Sequence, residues 1–193
     1  MTLTRRDTPH HTYGEYLTWP DDPRVELIDG VPYVKEPAPS PLHQDLVVEL
    51  GYQIRTALEA KPWRMYVAPF DVRLPNADEP DEMIDTVVQP DILIIRDRYR
   101  IDGRGLRGAP DWLAEVLSPS TARHDQFVKL PAYERAGVRE VWLIHPIDRT
   151  LSIYRLEAGH YGSPTIRELK GKTQITDFPG VSIDWDQMPD GLP

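Results

Sequence analysis

Two aliphatic runs constrain this chain more than any other feature: Val87-Val-Gln-Pro-Asp-Ile-Leu-Ile-Ile95 and Trp112-Leu-Ala-Glu-Val-Leu117, each carrying one acid, Asp91 and Glu115. Continuous β-branched and aliphatic runs of this length suit strands buried on both faces. Glu140-Val-Trp-Leu-Ile144 reads as a further buried strand. An ionised carboxylate in such a strand costs about 3 to 5 kcal/mol when its partner is missing. Three remedies exist: a strand end open to solvent, a pairing Arg or Lys, or a metal ion between the two acids.

Strand alternation puts Asp91, Leu93 and Ile95 on one face of the first run, and Leu113, Glu115 and Leu117 on one face of the second. If the strands are neighbours, Asp91 and Glu115 converge. Two hard oxygen ligands, completed by waters and a substrate phosphate, are what Mg²⁺ accepts. Such a site also needs a cation to orient a nucleophile and neutralise developing charge. Position 117, beside Glu115, is leucine, so Lys129 is the candidate. Asp125, Lys129 and Tyr133 follow at four-residue spacings and share a helix face.

Around these runs the chain reads as a mixed α+β unit. Asp29-Gly30 between Val25 and Val34 predicts a hairpin at about 24–35. Ser40-Pro41 then caps a helix in which Leu42, Leu46, Leu50, Ile54 and Leu58 recur every fourth residue, ending near Lys61-Pro62. Residues 63–74 predict one or two strands, 96–110 an Arg- and Gly-rich loop, and 118–136 a second helix stopped by Gly137. Pro131 should kink or divide that helix. Shorter strands at 150–156, 165–169 and 181–183 close the chain. One domain over 1–193 is expected, with residues 1–13 and 188–193 loosely held.

The chain has no cysteine, which removes disulfides, thiolate metal sites and a thiol nucleophile. Its first residues lack the apolar core of a signal peptide, and no run has the length of a membrane span. A soluble cytoplasmic protein is expected. A net charge of −9 argues against a broadly basic nucleic-acid surface. Local contact with a phosphate backbone would fall to Arg96, Arg98, Arg100, Arg104 and Arg107. The acidic stretch Asp78, Glu79, Asp81, Glu82 and Asp85 reads as a solvated loop.

Several pieces in order resemble the Uma-two family of bacterial restriction endonuclease-like proteins, within the PD-(D/E)XK nuclease superfamily. They are Glu26-Leu-Ile-Asp-Gly30, Ser40-Pro-Leu-His-Gln44, Gln89-Pro-Asp91, Gly108-Ala-Pro-Asp111, Glu115-Val-Leu-Ser-Pro-Ser-Thr121, Asp125 with Lys129 and Tyr133, Gly137-Val-Arg-Glu-Val-Trp-Leu143, and Phe178-Pro-Gly180. The resemblance implies a restriction endonuclease-like fold: a mixed central sheet flanked by two main helices, with an N-terminal β-hairpin. It implies Asp91 and Glu115 as metal-binding acids for Mg²⁺ or Mn²⁺, Lys129 as the catalytic lysine, and DNA as substrate. Glu26, His43, Gln44, Asp125 and Tyr133 would lie in or near the same cleft. From the residues alone, Glu26 also reads as a hairpin surface charge and His43 as a first-turn helix residue.

The chain departs from the family pattern at Pro131, at His124, and at His145-Pro146, where an Asp-Pro is usual. Two further readings stand beside the metal-dependent endonuclease: a catalytically inactive module that binds nucleic acid or protein, and acids that serve only as structural ion-pair partners. Exposed edges of a small mixed sheet also suit a homodimer.

Overall fold

The computed structural model describes residues 9–35 and 40–188. A short helix, α1 (Tyr13–Tyr16), precedes the hairpin β1 (Val25–Ile28) and β2 (Val31–Val34). Asp29 and Gly30 take φ of 51° and 74°, the left-handed geometry that an Asp-Gly turn supplies. In α2 (Pro41–Ala57) the Ser40 hydroxyl accepts the His43 N–H at 3.2 Å, and Pro41 stands at the first helical position. Leu46, Leu50, Ile54 and Leu58 are buried along one face, as their spacing requires.

Next come β3 (Arg64–Val67), β4 (Val72–Arg73), β5 (Val87–Val88), β6 (Ile92–Ile95), β7 (Ile101–Asp102), β8 (Gly105–Arg107) and β9 (Trp112–Val116). The helical segment α3 (Ala122–His124), a wide π turn over Asp125–Lys129, and α4 (Leu130–Ala136) lead into β10 (Glu140–His145). The chain closes with β11 (Thr150–Glu157), β12 (His160–Tyr161), β13 (Thr165–Glu168), β14 (Lys172–Gln174) and β15 (Ser182–Asp184).

Two sheets carry the fold. One runs β12-β11-β10-β9-β6-β3, with β13 also on β11; the other runs β2-β1-β5-β4-β8-β7, and β14 pairs with β15 separately. The predicted hairpin is thus an edge of the second sheet. In the first sheet β9 and β10 are parallel, which the intervening helical crossover permits, and β6 is antiparallel to β9.

The two faces separate as alternation predicts. Ile92, Ile94, Trp112, Ala114 and Val116 pack with α2 and the C-terminal strands. Leu93, Ile95, Leu113 and Leu117 pack with α4 residues Ala132 and Tyr133 and with the second sheet. Glu115, between Leu113 and Leu117, therefore faces the space between the sheets.

Four expectations need correction. The run 87–95 is two strands in different sheets, because Gln89-Pro90 breaks the ladder where proline has no N–H to give. Asp91 consequently stands just before β6, with its side chain 15% exposed. The 96–110 loop contains the β7–β8 hairpin, where Gly105 (φ 112°) passes so close to the Asp71 carbonyl that no Cβ would fit. The acidic stretch is not simply solvated, since Asp81 pairs with the fully buried Arg73 and with Arg107. Finally, residues 1–8 and 189–193 lie outside the described residues, but His11 and Tyr13 are tied to Gly30 and Ile84 by backbone hydrogen bonds, and Met188 is buried.

Pro131 does not divide the second helix, which stays helical from Ala122 to Ala136 through the π turn. It sits at the second residue of α4, immediately after the π turn. The wider turn gives the proline ring room against the carbonyls of the preceding turn, and insertions of this kind recur at functional sites. Gly137 ends α4 at φ 85°.

Candidate active site

The gap between the sheets holds four carboxylates and one buried lysine. Lys129 Nζ lies 2.7 Å from Glu115 Oε1, 3.2 Å from Glu26 Oε1 and 3.5 Å from Asp125 Oδ1. An ammonium has three protons, and three acids surround it. Their negative charge outweighs the cost of burial and keeps the Lys129 pKa well above its ordinary value. The lysine is therefore a fixed cation, unfit to act as a base.

Glu115 comes from the middle of β9. Its Oε1 also accepts the Tyr133 hydroxyl at 2.5 Å, while Oε2 meets only the Asp91 N–H, at 3.4 Å. Burial pushes the Glu115 carboxyl up to about 8; Lys129 opposes this, and Asp125, Asp91 and Glu26 add to it. Asp125 is raised in the same direction by burial, against Lys129 and a Thr121 hydrogen bond.

Asp91 is held from two sides. Its Oδ2 accepts the Val116 N–H at 2.8 Å and lies 3.1 Å from His43 Nε2. A carboxylate only accepts, so His43 donates through Nε2, and its buried Nδ1 has no partner among the described residues. Burial would raise the Asp91 pKa, but His43, Lys129 and the Val116 N–H together bring it below its ordinary value.

Glu26 projects from β1 and is not a surface charge. It is buried, with Oε1 accepting the Gln89 N–H at 2.7 Å and Oε2 lying 3.2 Å from His124 Nε2. Burial opposes its ionisation, yet Lys129, His124, Lys35 and the Gln89 N–H hold it far below the usual carboxylate range. The ring of His124 rests on Tyr33, with centroids 4.8 Å apart.

The structure thus brings together Asp91, Glu115, Lys129, Glu26, His43, Asp125 and Tyr133. Gln44 is exposed on the first turn of α2 and its side chain makes no hydrogen bond among the described residues. His145 stands apart, at the far end of β10 beside Ser152, and burial lowers its pKa against the pull of Asp148. Lys35 was not legible as a site residue, though it lies 3.6 Å from Glu26 and donates to the Gln89 carbonyl at 3.0 Å. The signal was there in the hairpin register: Tyr33 pairs directly with Glu26, so Lys35 is its diagonal neighbour on the same face.

Among the described residues no group of three or more His, Cys, Asp or Glu side chains is spaced to hold a metal ion. What the cleft offers is a pair: among the described residues Asp91 Oδ1 has no hydrogen-bond partner, and Glu115 Oε2 has only the long contact to the Asp91 N–H. Two oxygen donors of this kind fit a hard cation that keeps several waters, such as Mg²⁺ or Mn²⁺.

Residues 13–186 match the sequence profile of the Uma2 family, described as "Putative restriction endonuclease". The chain belongs to this family. Its match spans every acid and the lysine of the cleft. No curated protein matches the chain. The crystal structure of "a putative nuclease belonging to DUF820 from Anabaena variabilis ATCC 29413" superposes with a TM-score of 0.73 at 21% identity, covering 94% of this chain and 99% of the other. At that identity the likeness shows the fold. Within this Uma2 chain, then, the buried Lys129 and its acids occupy the core of the fold shared with that structure. No helix among the described residues is long and apolar enough to cross a membrane.

The arginines proposed for backbone contact are mostly engaged. Arg100 donates to the Ala109 carbonyl and pairs with Asp111, Arg107 pairs with Asp81, and Arg96 donates to the Asp177 carbonyl. Arg98 lies over the Tyr99 ring.

Proposed function

We propose that this protein is a Mg²⁺- or Mn²⁺-dependent endonuclease that hydrolyses DNA phosphodiester bonds, with Asp91 and Glu115 holding the metal and Lys129 serving catalysis. One observation carries the reading: four carboxylates gather around one lysine, and two of them, Glu115 and Asp125, have pKa values raised by burial, with the neighbouring acids adding to the rise. A divalent cation between Asp91 and Glu115 would offset their negative charge.

When bound, the metal would polarise a phosphoryl oxygen and make a neighbouring water more acidic. The protein's own groups do the rest. Lys129 stays charged and donates either to the attacking water or to a phosphoryl oxygen, exchanging its longest contact, Asp125, for the new acceptor. Glu26, ionised and held by the Gln89 N–H and His124 with Lys35 nearby, positions the ammonium. His43 and the Val116 N–H fix Asp91 Oδ2, so Oδ1 would be the oxygen available to hold a metal. Tyr133 orients Glu115 from the opposite side.

The test is cleavage of plasmid and linear DNA with Mg²⁺, with Mn²⁺ and with chelator. Metal-dependent cleavage that Asp91→Ala and Glu115→Ala abolish is expected; cleavage undiminished in both variants would sink the assignment. A second reading, a catalytically inactive module that binds nucleic acid or protein, draws on the absence of a three-ligand cluster among the described residues. Calorimetry that finds no Mg²⁺ or Mn²⁺ binding at millimolar concentrations would favour it. The same proposal places the protein in the cytoplasm, a reducing setting that a cysteine-free chain suits. It also includes a homodimer through a free sheet edge such as β13, where Ile166 is exposed; sedimentation velocity tests this.

A further inference from the structure

A groove of about 590 Å³ runs between the outer face of α2 and the edge strand β3. Val48, Tyr52 and Arg55 line it from the helix, and Tyr66, Val67 and Phe70 from the other side. At Gly51 the helix packs closely over the strand, since a Cβ there would stand in van der Waals contact with Met65 at 3.6 Å and Val67 at 3.8 Å. The groove adjoins the acids. Val67 pairs with Ile92, the Ala68 N–H donates to the Asp91 carbonyl at 3.0 Å, and His43, which holds Asp91, begins the same helix. Tyr52 lies nine residues beyond His43, about 13 Å along the helix axis.

We propose that this groove binds the unpaired bases of a single-stranded nucleic-acid segment leading away from the catalytic pair. The inference rests on the nuclease reading given above and names its substrate class. Exposed rings are what unpaired bases stack on, because every base has a π face. Tyr52 is 66% exposed and is the ring open to stacking; Tyr66 and Phe70, half-buried against the core between the sheets, stack on each other with centroids 4.2 Å apart and wall the groove. Arg55 supplies a cation beside the rings. It forms no ion pair or hydrogen bond among the described residues and, unlike Arg107 of the β7–β8 hairpin, remains available to phosphates. The acids on the same helix face, Asp45 and Glu59, lie a turn beyond Val48 and Arg55, outside the lining. A second copy of the chain fits less well, since a two-fold axis at the groove would bring like-charged arginines together.

The test is fluorescence anisotropy with a labelled single-stranded oligonucleotide and its duplex, in the Glu115→Gln background with Mg²⁺ present. Single strands should bind tighter than duplex. Tyr52→Ala should weaken single-strand binding about 5- to 100-fold, and Arg55→Ala should reduce the slope of log affinity against log salt by about 0.7. Nucleic acid bound with an affinity that Tyr52→Ala leaves unchanged would overturn the groove assignment and leave the nuclease reading standing. Failure of the otherwise unaltered protein to bind any nucleic acid would remove both. Should Tyr52→Ala convert a dimer to a monomer without changing oligonucleotide affinity, the groove belongs to a second copy and the inference is overturned.

Discussion

Replacing Glu115 with glutamine should make the protein progressively more stable than the parent as pH rises. The amide keeps a carbonyl oxygen for Lys129 and Tyr133 but carries no charge. In the folded protein burial holds the Glu115 carboxyl at about 8, against an ordinary 4.5 for the unfolded chain. Below pH 4.5 the parent is protonated in both states, so the two proteins should match. Between pH 4.5 and 8 the folded parent retains a proton that the unfolded chain releases, and its stability falls with pH. At 1.36 kcal/mol per pH unit the deficit reaches about 5 kcal/mol by pH 8. Urea unfolding followed by tryptophan fluorescence reads this directly, since Trp112 and Trp142 are fully buried. Millimolar Mg²⁺ should restore the parent at pH 8 and do nothing for the variant. A gap that stays flat from pH 5 to 8, or that reverses sign, would mean that Lys129 keeps Glu115 ionised, and the reasoning from burial would fail.

Glu26→Gln should slope the opposite way. Its depressed pKa contributes stability that is present above the unfolded value and is lost as pH falls, so the variant should be destabilised at neutral pH and converge on the parent in acid, by the same urea assay. Lys129→Met removes the one cation between Glu26, Glu115 and Asp125; a loss of about 3 to 5 kcal/mol at pH 8, shrinking as pH falls and the acids protonate, is expected from denaturant curves. Asp81→Ala should cost about 3 kcal/mol in thermal or urea unfolding, because Arg73 is fully buried and would keep only Asp102. A change under 1 kcal/mol would show that the acidic stretch is solvated after all.

What was legible in the chain was period and interruption. Alternation placed Leu93, Ile95, Leu113, Glu115 and Leu117 on one side of the first sheet, and the four-residue repeat placed the buried face of α2. A lone acid in an apolar run is a less specific signal. Glu140 is one as well, equally buried, yet it is satisfied by the Trp142 indole N–H at 2.7 Å and by Arg155 at 2.9 Å. What distinguishes Glu115 is the company of Asp91, Glu26 and Asp125, and that meeting depends on contacts between distant segments. Glu26 looked like a hairpin surface charge because the packing of β1 against β5 is invisible in local pattern. The break at Gln89-Pro90 was written in the proline but masked by the hydrophobicity on either side. The burial of Arg73, and with it the role of Asp81, left no local trace, since two short strands and a loop converge there from three places in the chain.

The central claim is that Asp91 and Glu115 form a divalent-cation site, and calorimetric titration of Mn²⁺ at pH 8 and pH 6 tests it most directly. Binding at pH 8 that weakens at pH 6, releases protons, and disappears in both Asp91→Ala and Glu115→Gln is the predicted result. Absence of binding at millimolar Mn²⁺, or binding that neither substitution alters, would contradict it.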